Sequence, residues 1–202
     1  MKPVFTILFA CLLCILPVTL KSQESSSRTL RYGNRTEIGI SMGVGKFKTD
    51  VINGNQLHAK NDEIILNLRT INGFWYMNRL FIGVGVGAEL WQHGLFWPVF
   101  GDITYNFKSG DNTFYGAVDL GSAIGNRYGT SYYNSGKGGF LAVIALGYTL
   151  KVVKNLKFSY EVFYQYQVIK STYTNTVDTV VSRPLDYNVP EHFIGFRIGI
   201  CY

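Results

Sequence analysis

The sequence predicts an all-β fold: an eight-stranded antiparallel transmembrane β-barrel with up-and-down topology. Apolar residues recur at every second position through much of the chain, which is the period of a β-strand. Charged residues are only 16% of the chain, against about 25% in an average globular protein, and glycine reaches 22 of 202 residues. After residue 22, no apolar run is long enough for a second membrane helix.

The first residues have the pattern of a secretory signal peptide. Residues 1–22 combine a positive start, an uncharged and largely apolar run, and a polar exit, with cleavage predicted after Ser22. A retained membrane anchor is the alternative, but the run is barely long enough to span and Pro17 interrupts it. Neither Cys11 nor Cys14 has the surroundings of a lipoprotein signal. We therefore expect an exported protein.

Cleavage would leave a short N-terminal segment, residues 23–34, before a barrel over residues 35–202. It would remove two lysines and no acid, which lowers the formal net charge from +6 to +4. Cys201 would be the single remaining cysteine, so no internal disulfide is expected. The mild basic excess is weak evidence for nucleic acid, and export argues against it. No nucleic-acid partner is predicted.

Eight segments show the strand alternation, and each can supply the ~9–11 residues of a tilted strand that crosses a bilayer. They are residues 35–47, 63–76, 79–92, 95–107, 112–125, 139–153, 156–169 and 191–202. The second, fourth and sixth connections are short, whereas three of the other four are long. Short periplasmic turns and longer outside loops are typical of transmembrane barrels with an even strand number.

The two faces of each predicted strand differ in composition. In the third segment, Leu80, Ile82 and Val84 alternate with Gly83 and Gly85. A soluble lipocalin-like barrel, the alternative fold, would carry charges on its outer face. Small residues instead suit the narrow interior of an eight-stranded barrel. The pattern favours apolar residues facing lipid and polar residues facing inward.

Aromatic residues on the apolar face are predicted to form a girdle at the periplasmic surface, because aromatic rings favour the depth of the lipid headgroups. The members share one strand parity and lie near the short turns. They are Phe74, Tyr76, Tyr105, Phe107, Phe114, Tyr148, Phe158 and Tyr202.

Nine charged residues share the parity of the inward face and are predicted to form a charge network inside the barrel. They are Glu37, Arg69, Glu89, Asp102, Asp119, Lys151, Lys157, Glu161 and Arg197. Acids and bases nearly balance, as a closed interior requires, because an unpaired buried charge is strongly destabilising. The favoured interpretation is a salt-bridge network that fills the barrel. The alternative is a narrow porin-like channel for small solutes.

Two stretches resemble a known family. The last strand, HFIGFRIGICY, ends on Tyr202 and is similar to the terminal strand by which the outer-membrane assembly machinery recognises its clients, which usually end on Phe. Residues 97–107 (WPVFGDITYNF), a Lys-Ser-Gly-Asp turn and residues 114–121 (FYGAVDLG) resemble a hairpin of the outer-membrane-protein β-barrel domain family, small porin-like barrels of Gram-negative bacteria. The resemblance implies outer-membrane lipid and the assembly machinery as partners, and no particular activity.

No residue pattern indicates catalysis, a cofactor or a metal site. His58, His93 and His192 fall near connections, and His93 close to Glu89 is the best candidate base for a rim enzyme that modifies lipid A. No serine accompanies these histidines in a deacylase-like motif. Nucleophile-elbow, phosphate-loop and paired-histidine zinc motifs are also absent from the sequence. We therefore expect a protein that is not an enzyme and uses no cofactor.

The long loops are rich in Tyr, Asn, Ser and Thr, which suits recognition of proteins or sugars because tyrosine offers a large contact area at low entropic cost. The residues concerned are Tyr128, Tyr132, Tyr133, Asn134, Tyr173, Asn175, Thr176, Tyr187 and Asn188. A surface ligand and loops without a specific partner both stay open. The predicted function is a non-enzymatic outer-membrane barrel with a structural or surface-interaction role.

Overall fold

A computed structural model describes residues 30–52, 55–128, 136–153, 156–173 and 185–202. The predicted signal peptide, residues 1–22, lies outside the described residues. The described residues form ten strands: β1 Leu30–Val44, β2 Lys46–Ile52, β3 Asn55–Lys60, β4 Ile64–Tyr76, β5 Leu80–Trp91, β6 Gly94–Asn106, β7 Thr113–Arg127, β8 Gly136–Val153, β9 Leu156–Tyr173 and β10 Leu185–Cys201. No helix long and apolar enough to cross a membrane occurs in this part of the chain.

Eight of these strands close into a barrel in the order β1-β10-β9-β8-β7-β6-β5-β4. Every neighbouring pair is antiparallel, and consecutive wall strands are adjacent in space. The first and last strands complete the closure, from the pair Arg35 and Cys201 to the pair Val44 and His192. The predicted fold class, an eight-stranded up-and-down antiparallel barrel, is therefore confirmed.

The first connection differs from the predicted loop. The chain leaves the barrel wall at Gly45, whose φ of 81° lies in the left-handed region that glycine tolerates best. Strands β2 and β3 then pair with each other as a separate two-stranded sheet. The first wall strand also begins at Leu30, inside the predicted N-terminal segment 23–34. Local alternation predicts the ends of a strand only approximately, because a strand continues only as far as a neighbouring strand is present to pair with it.

The connection between β4 and β5 is a tight turn centred on two residues with positive φ, Met77 at 50° and Asn78 at 57°. Such dihedrals are those of a type I′ turn, whose twist matches the twist of the flanking antiparallel strands. The amide N–H of Arg79 donates to the Tyr76 carbonyl at 3.1 Å and closes the turn. The end of the barrel that carries this turn is the short-turn end, and the opposite end is the long-loop end.

The outer face of the wall is apolar and the inner face holds most of the polar groups. On β5, Ile82 and Val84 are 56% and 69% exposed, whereas Phe81 is 2% exposed. An apolar surface that continues around the whole barrel is unsuitable for water and suited to lipid. The transmembrane arrangement, apolar outside and polar inside, follows. The lipocalin-like alternative requires the opposite arrangement.

The eight predicted girdle aromatics lie on the outer face near the short-turn end. Phe114 is 65% exposed and its ring centroid is 4.8 Å from that of Tyr148. Tyr105 and Phe107 have ring centroids 6.3 Å apart. Tyr148 and Phe158 are half-buried, and the other six residues of the predicted girdle are exposed.

Candidate functional site

The interior of the barrel contains a network of arginines and carboxylates, with Arg69 of β4 at its centre. Its guanidinium donates to Glu37 on β1, to Asp119 on β7 and, at 3.2 Å, to Glu161 on β9. Strands β7 and β9 each lie three positions from β4 around the wall, in opposite directions. One side chain therefore bridges the lumen.

Two further arginines extend the network. Arg35 on β1 donates through Nη2 to Oδ2 of Asp102 on β6 at 2.8 Å, and its Nε lies 3.0 Å from Oε1 of Glu37. Arg197 on β10 donates to Oε1 of Glu161 at 2.9 Å. All of these side chains are nearly inaccessible to solvent. Buried charges of this kind are tolerated because each has an opposite charge and hydrogen bonds.

Aromatic rings orient two of the guanidinium groups. Cζ of Arg197 lies 3.5 Å from the ring centroid of Phe163, and Cζ of Arg69 lies 5.4 Å from that of Phe100. A guanidinium held over a ring face gains a cation–π contact that is stronger where water is excluded. The rings also occupy the space on either side of the charges, so the network is packed as well as paired.

Glu89, predicted as part of the network, accepts hydrogen bonds from neutral donors. Nε1 of Trp91 donates to it at 3.3 Å and Nε2 of Gln165 at 3.0 Å. A cavity of about 10 Å³, lined by Glu89, Gln165, Asn67 and other inward residues, lies beside it. That volume holds about one water molecule.

Apolar clusters pack around these polar groups. The cluster toward the long-loop end comprises Ile65, Trp91, Phe96, Ala123, Ile169 and Phe193. A second, on β7 to β9, comprises Tyr115, Ala117, Leu141, Val143, Ala145 and Phe163. The third, on β4 to β6, comprises Ile71, Phe81 and Phe100, with Trp75 against it. The interior is therefore filled by side chains along its height.

Two predicted members of the interior network are placed elsewhere, and the prediction is corrected for them. Nζ of Lys151 lies 2.7 Å from Oδ2 of Asp111, and Nζ of Lys157 lies 3.2 Å from Oδ1 of the same carboxylate. Both lysines have the inward parity, but they lie at the short-turn end, where Lys151 is exposed and Lys157 is half-buried. Hydrogen bonds from Lys151, the larger effect, and from Lys157 lower the pKa of Asp111 from its ordinary value. The other seven predicted residues are buried inside the barrel.

The sequence analysis missed four buried charges: Arg35, Glu63, Arg127 and Glu191. Arg127 donates to Glu191 at the long-loop end, which joins β7 to β10 across the barrel mouth. Each of the four has the parity of the inward face. They were missed because they lie at or beyond the ends of the predicted strands.

The three histidines are separated in the structure. His93 lies beside Glu63 rather than Glu89: its amide N–H donates to the Glu63 carboxylate at 3.0 Å and its Nδ1 lies 3.3 Å away. His192 is on the outer face, with Nδ1 2.5 Å from the Tyr164 hydroxyl. The backbone of His58 belongs to β3 of the separate hairpin.

No cluster of three or more His, Cys, Asp or Glu side chains suited to a metal ion occurs within the described ranges. Of the predicted loop residues, Tyr128 is 71% exposed and Asn188 is exposed. Tyr132, Tyr133, Asn134, Asn175 and Thr176 lie outside the described residues. For Tyr173 and Tyr187 only the strand position is described, at the ends of β9 and β10.

Comparison with solved structures identifies the kind of barrel. The outer membrane protein AlkL, solved in DMPC lipid bilayers, superposes with a TM-score of 0.56 at 12% identity, over 90% of this chain and 93% of AlkL. The chain has the fold of a small outer-membrane β-barrel. Identity this low shows the fold and leaves the role open.

Two other small barrels also match. Neisserial surface protein A (NspA) matches at 10% identity and TM-score 0.45, over 84% of this chain and 98% of NspA. Ail, the attachment invasion locus protein of Yersinia pestis, solved with a heparin analogue, matches at 12% identity and TM-score 0.38, over 85% of this chain and 99% of Ail. No protein-family model and no curated protein sequence matches the chain.

Proposed function

We propose that the chain is an integral outer-membrane barrel that neither conducts solutes nor catalyses a reaction, and that acts through its long-loop end at the cell surface. The observation that carries the proposal is the bridging of the lumen by Arg69, which contacts carboxylates on β1, β7 and β9. A side chain that joins three parts of the wall blocks the path that a solute would take. Apolar clusters pack above and below the network, and the cavity beside it has room for about one water molecule.

Planar-bilayer recording tests the closed interior. The wild-type barrel is expected to show no steady conductance, because the network occupies the lumen. Arg197→Ala removes one buried guanidinium, and the neighbouring Ile198→Ala, on the outer face, is the matched control. Steady wild-type conductance that changes with Arg197→Ala and not with Ile198→Ala would establish the channel in place of this proposal.

Cell fractionation and gel migration test the location. A folded transmembrane barrel is expected in the outer-membrane fraction, with heat-modifiable migration in detergent gels. Recovery as a soluble periplasmic protein would favour a lipocalin-like binder instead. Tyr128 and Asp111 mark opposite ends of the barrel and are both exposed. In a Cys201→Ser background, Tyr128→Cys should react with a membrane-impermeant maleimide on intact cells, and Asp111→Cys should not.

Lipid A analysis tests the absence of catalysis. His93 is held by Glu63, and His192 meets the Tyr164 hydroxyl on the outer face. Neither arrangement includes a serine nucleophile of the kind that acyl transfer uses. Mass spectrometry of lipid A is expected to show the same acyl pattern without the protein, with the wild type, and with His93→Ala or His192→Ala. A protein-dependent change that either variant abolishes would identify a rim enzyme.

A further inference from the structure

The outer wall carries a polar row at the long-loop end, across four neighbouring strands. Asn126 on β7 pairs in register with Lys137 on β8, Lys137 with Lys170 on β9, and Lys170 with Asn188 on β10. All four residues are exposed. These four residues form the lysine row: two lysines side by side, with an amide on each flank.

The row faces outward. The positions beside it face inward: a Cβ added at Gly138 would lie 3.0 Å from Phe96, and Ile169 is completely buried. A Cβ at Gly139 would instead lie 3.5 Å from Cε of Lys170. The aliphatic part of Lys170 therefore lies along the outer wall over Gly139.

The two lysines are directly opposite each other, and like charges in that position destabilise a strand pair. Neither lysine takes part in any ion pair among the described residues. By contrast, Lys151 and Lys157 at the other end are also opposite each other, and they share the Asp111 carboxylate. Among the residues that the structure describes, the lysine row has the same pair of facing lysines without a carboxylate between them.

An aromatic layer lies further along the same wall, below Val168 of β9. Tyr166 is four residues from Lys170, which is about 13 Å along a strand. Its ring centroid is 5.4 Å from that of His192 and 6.4 Å from that of Phe140. Tyr164 stacks on His192, with centroids 5.9 Å apart. Aromatic side chains of this kind favour the depth of the lipid headgroups.

Below the aromatic layer the wall is aliphatic, with Leu146 and Val162 65% and 57% exposed. From the end of the barrel inward, the main layers are the cations, the aromatic rings and the aliphatic chains, with Val168 between the first two on β9. A phosphorylated lipid presents the complementary order of phosphate, interfacial carbonyl or sugar, and acyl chain. A free phosphate ion would use only the first of these three layers.

We propose that the lysine row binds the phosphorylated headgroup of a lipid in the membrane leaflet at the long-loop end. The phosphate lies between Lys137 and Lys170, Asn126 and Asn188 bond to its polar neighbours, and the acyl chains lie along the aromatic and aliphatic wall. This inference rests on the proposed membrane-spanning function and adds the class of lipid and its site. An ammonium pair with phosphate forms charge-assisted hydrogen bonds, and near a membrane surface each lysine adds attraction to anionic lipid.

Native mass spectrometry tests the site. The full barrel, folded in detergent with an uncharged headgroup, is mixed with bisphosphorylated lipid A or with its dephosphorylated counterpart. The wild type should retain the phosphorylated lipid, and Lys137→Gln with Lys170→Gln should lower its affinity roughly 30-fold. Lys137→Arg with Lys170→Arg should retain binding. The matched control is Lys46→Gln with Lys60→Gln, a facing lysine pair in the separate hairpin at the same end.

Thermal unfolding supplies a second test. If Lys170 had only a structural role, its substitution would change the Tm in the same direction with and without lipid. Without anionic lipid, Lys170→Gln should raise the Tm, because it removes the repulsion from Lys137. With bisphosphorylated lipid A the same substitution should lower the Tm, because it removes the contact with phosphate. This reversal of sign requires an anion at the row.

Three results would overturn the proposal: equal retention of both lipids, an equal loss in the control pair, or no reversal in the Tm. Heat-modifiable migration of each variant verifies that the barrel has folded. A folded barrel that ignores phosphate overturns the lipid site alone. A chain that does not fold into membranes overturns the proposed function.

Discussion

The Arg69 guanidinium on β4 donates to the Asp119 carboxylate on β7, three strands away around the barrel wall and 50 residues along the chain. The same guanidinium also meets Glu37 and Glu161. A single cation thus contacts carboxylates from three other strands. Its removal would leave those carboxylates buried without that counter-charge.

Arg69→Ala should therefore lower the free energy of unfolding by about 3–5 kcal/mol, the usual effect of breaking a buried ion pair from one side. The free energy of unfolding of Arg69→Lys should lie between those of the wild type and Arg69→Ala. A lysine ammonium keeps the charge but lacks the planar fork that reaches several carboxylates. Urea unfolding of the barrel in lipid vesicles measures both. Arg31→Ala, an exposed arginine at the short-turn end, is the control. Similar losses for Arg31→Ala and Arg69→Ala would contradict the central role of Arg69.

Gly121 and Gly101 provide a matched pair for the tightness of the wall. A Cβ at Gly121 would lie 2.1 Å from the Val99 carbonyl oxygen, whereas a Cβ at Gly101 would have no atom closer than 3.9 Å. Gly121→Ala should destabilise the barrel by about 1–3 kcal/mol through overpacking, and Gly101→Ala should be tolerated. The same unfolding measurement distinguishes them. Equal effects would mean that the wall can shift at Gly121 without loss.

The apolar outer face predicts a dependence on membrane depth along β7. Leu120, at the middle of the strand, is 55% exposed, and Phe114, near the short-turn end, is 65% exposed. Leu120→Arg should cost about 2–4 kcal/mol and Phe114→Arg about 0–1 kcal/mol, because arginine is least tolerated at the bilayer midplane. Folding titrations into vesicles measure the difference. A larger loss for Phe114→Arg than for Leu120→Arg would mean that the bilayer midplane lies nearer to Phe114 than to Leu120.

Asp111 predicts a local pH dependence at the short-turn end. Hydrogen bonds from Lys151 and Lys157 hold the pKa of Asp111 below its ordinary value. Stability from a group with a lowered folded-state pKa is present above the unfolded-state pKa and is lost as the pH falls through the folded-state pKa. The difference in unfolding free energy between wild type and Asp111→Asn should therefore be present at neutral pH and absent near about pH 2.

A double-mutant cycle with the two lysines identifies the source of that pH dependence. In a background of Lys151→Gln and Lys157→Gln, Asp111→Asn should have no pH-dependent effect, because the partners that lower the pKa are gone. The equilibrium unfolding curve at each pH supplies the values. A pH-dependent difference that persists in this background would assign the effect to another group.

The interior network shows where parity is sufficient and where it fails. Glu37 and Glu161 have the inward parity, and both are buried. Lys151 and Lys157 have the same parity and contact Asp111 at the barrel end. Parity assigns a residue to a face of a strand. It contains no information about the height of that residue along the barrel, which the register and the tilt of the neighbouring strands determine.

The ends of the strands were the least predictable feature. Lys137 lies outside the segment predicted from residue 139 onward, and Lys170 lies outside the one predicted to end at residue 169. In the structure both lie within strands, in register with each other. The pair exists only because β8 and β9 continue together past the predicted ends. No local pattern near either lysine reports the presence of the other.

The sequence by itself determined the number of strands in the barrel wall, their antiparallel closure and the face that meets lipid, because a strand between lipid and a polar interior must alternate its side chains. It also determined that the interior holds charges and small residues. Only the tertiary structure decided which charges meet, that Glu63 rather than Glu89 lies beside His93, and that Lys137 and Lys170 share one row. These contacts depend on the register between strands, which is a property of the closed barrel as a whole.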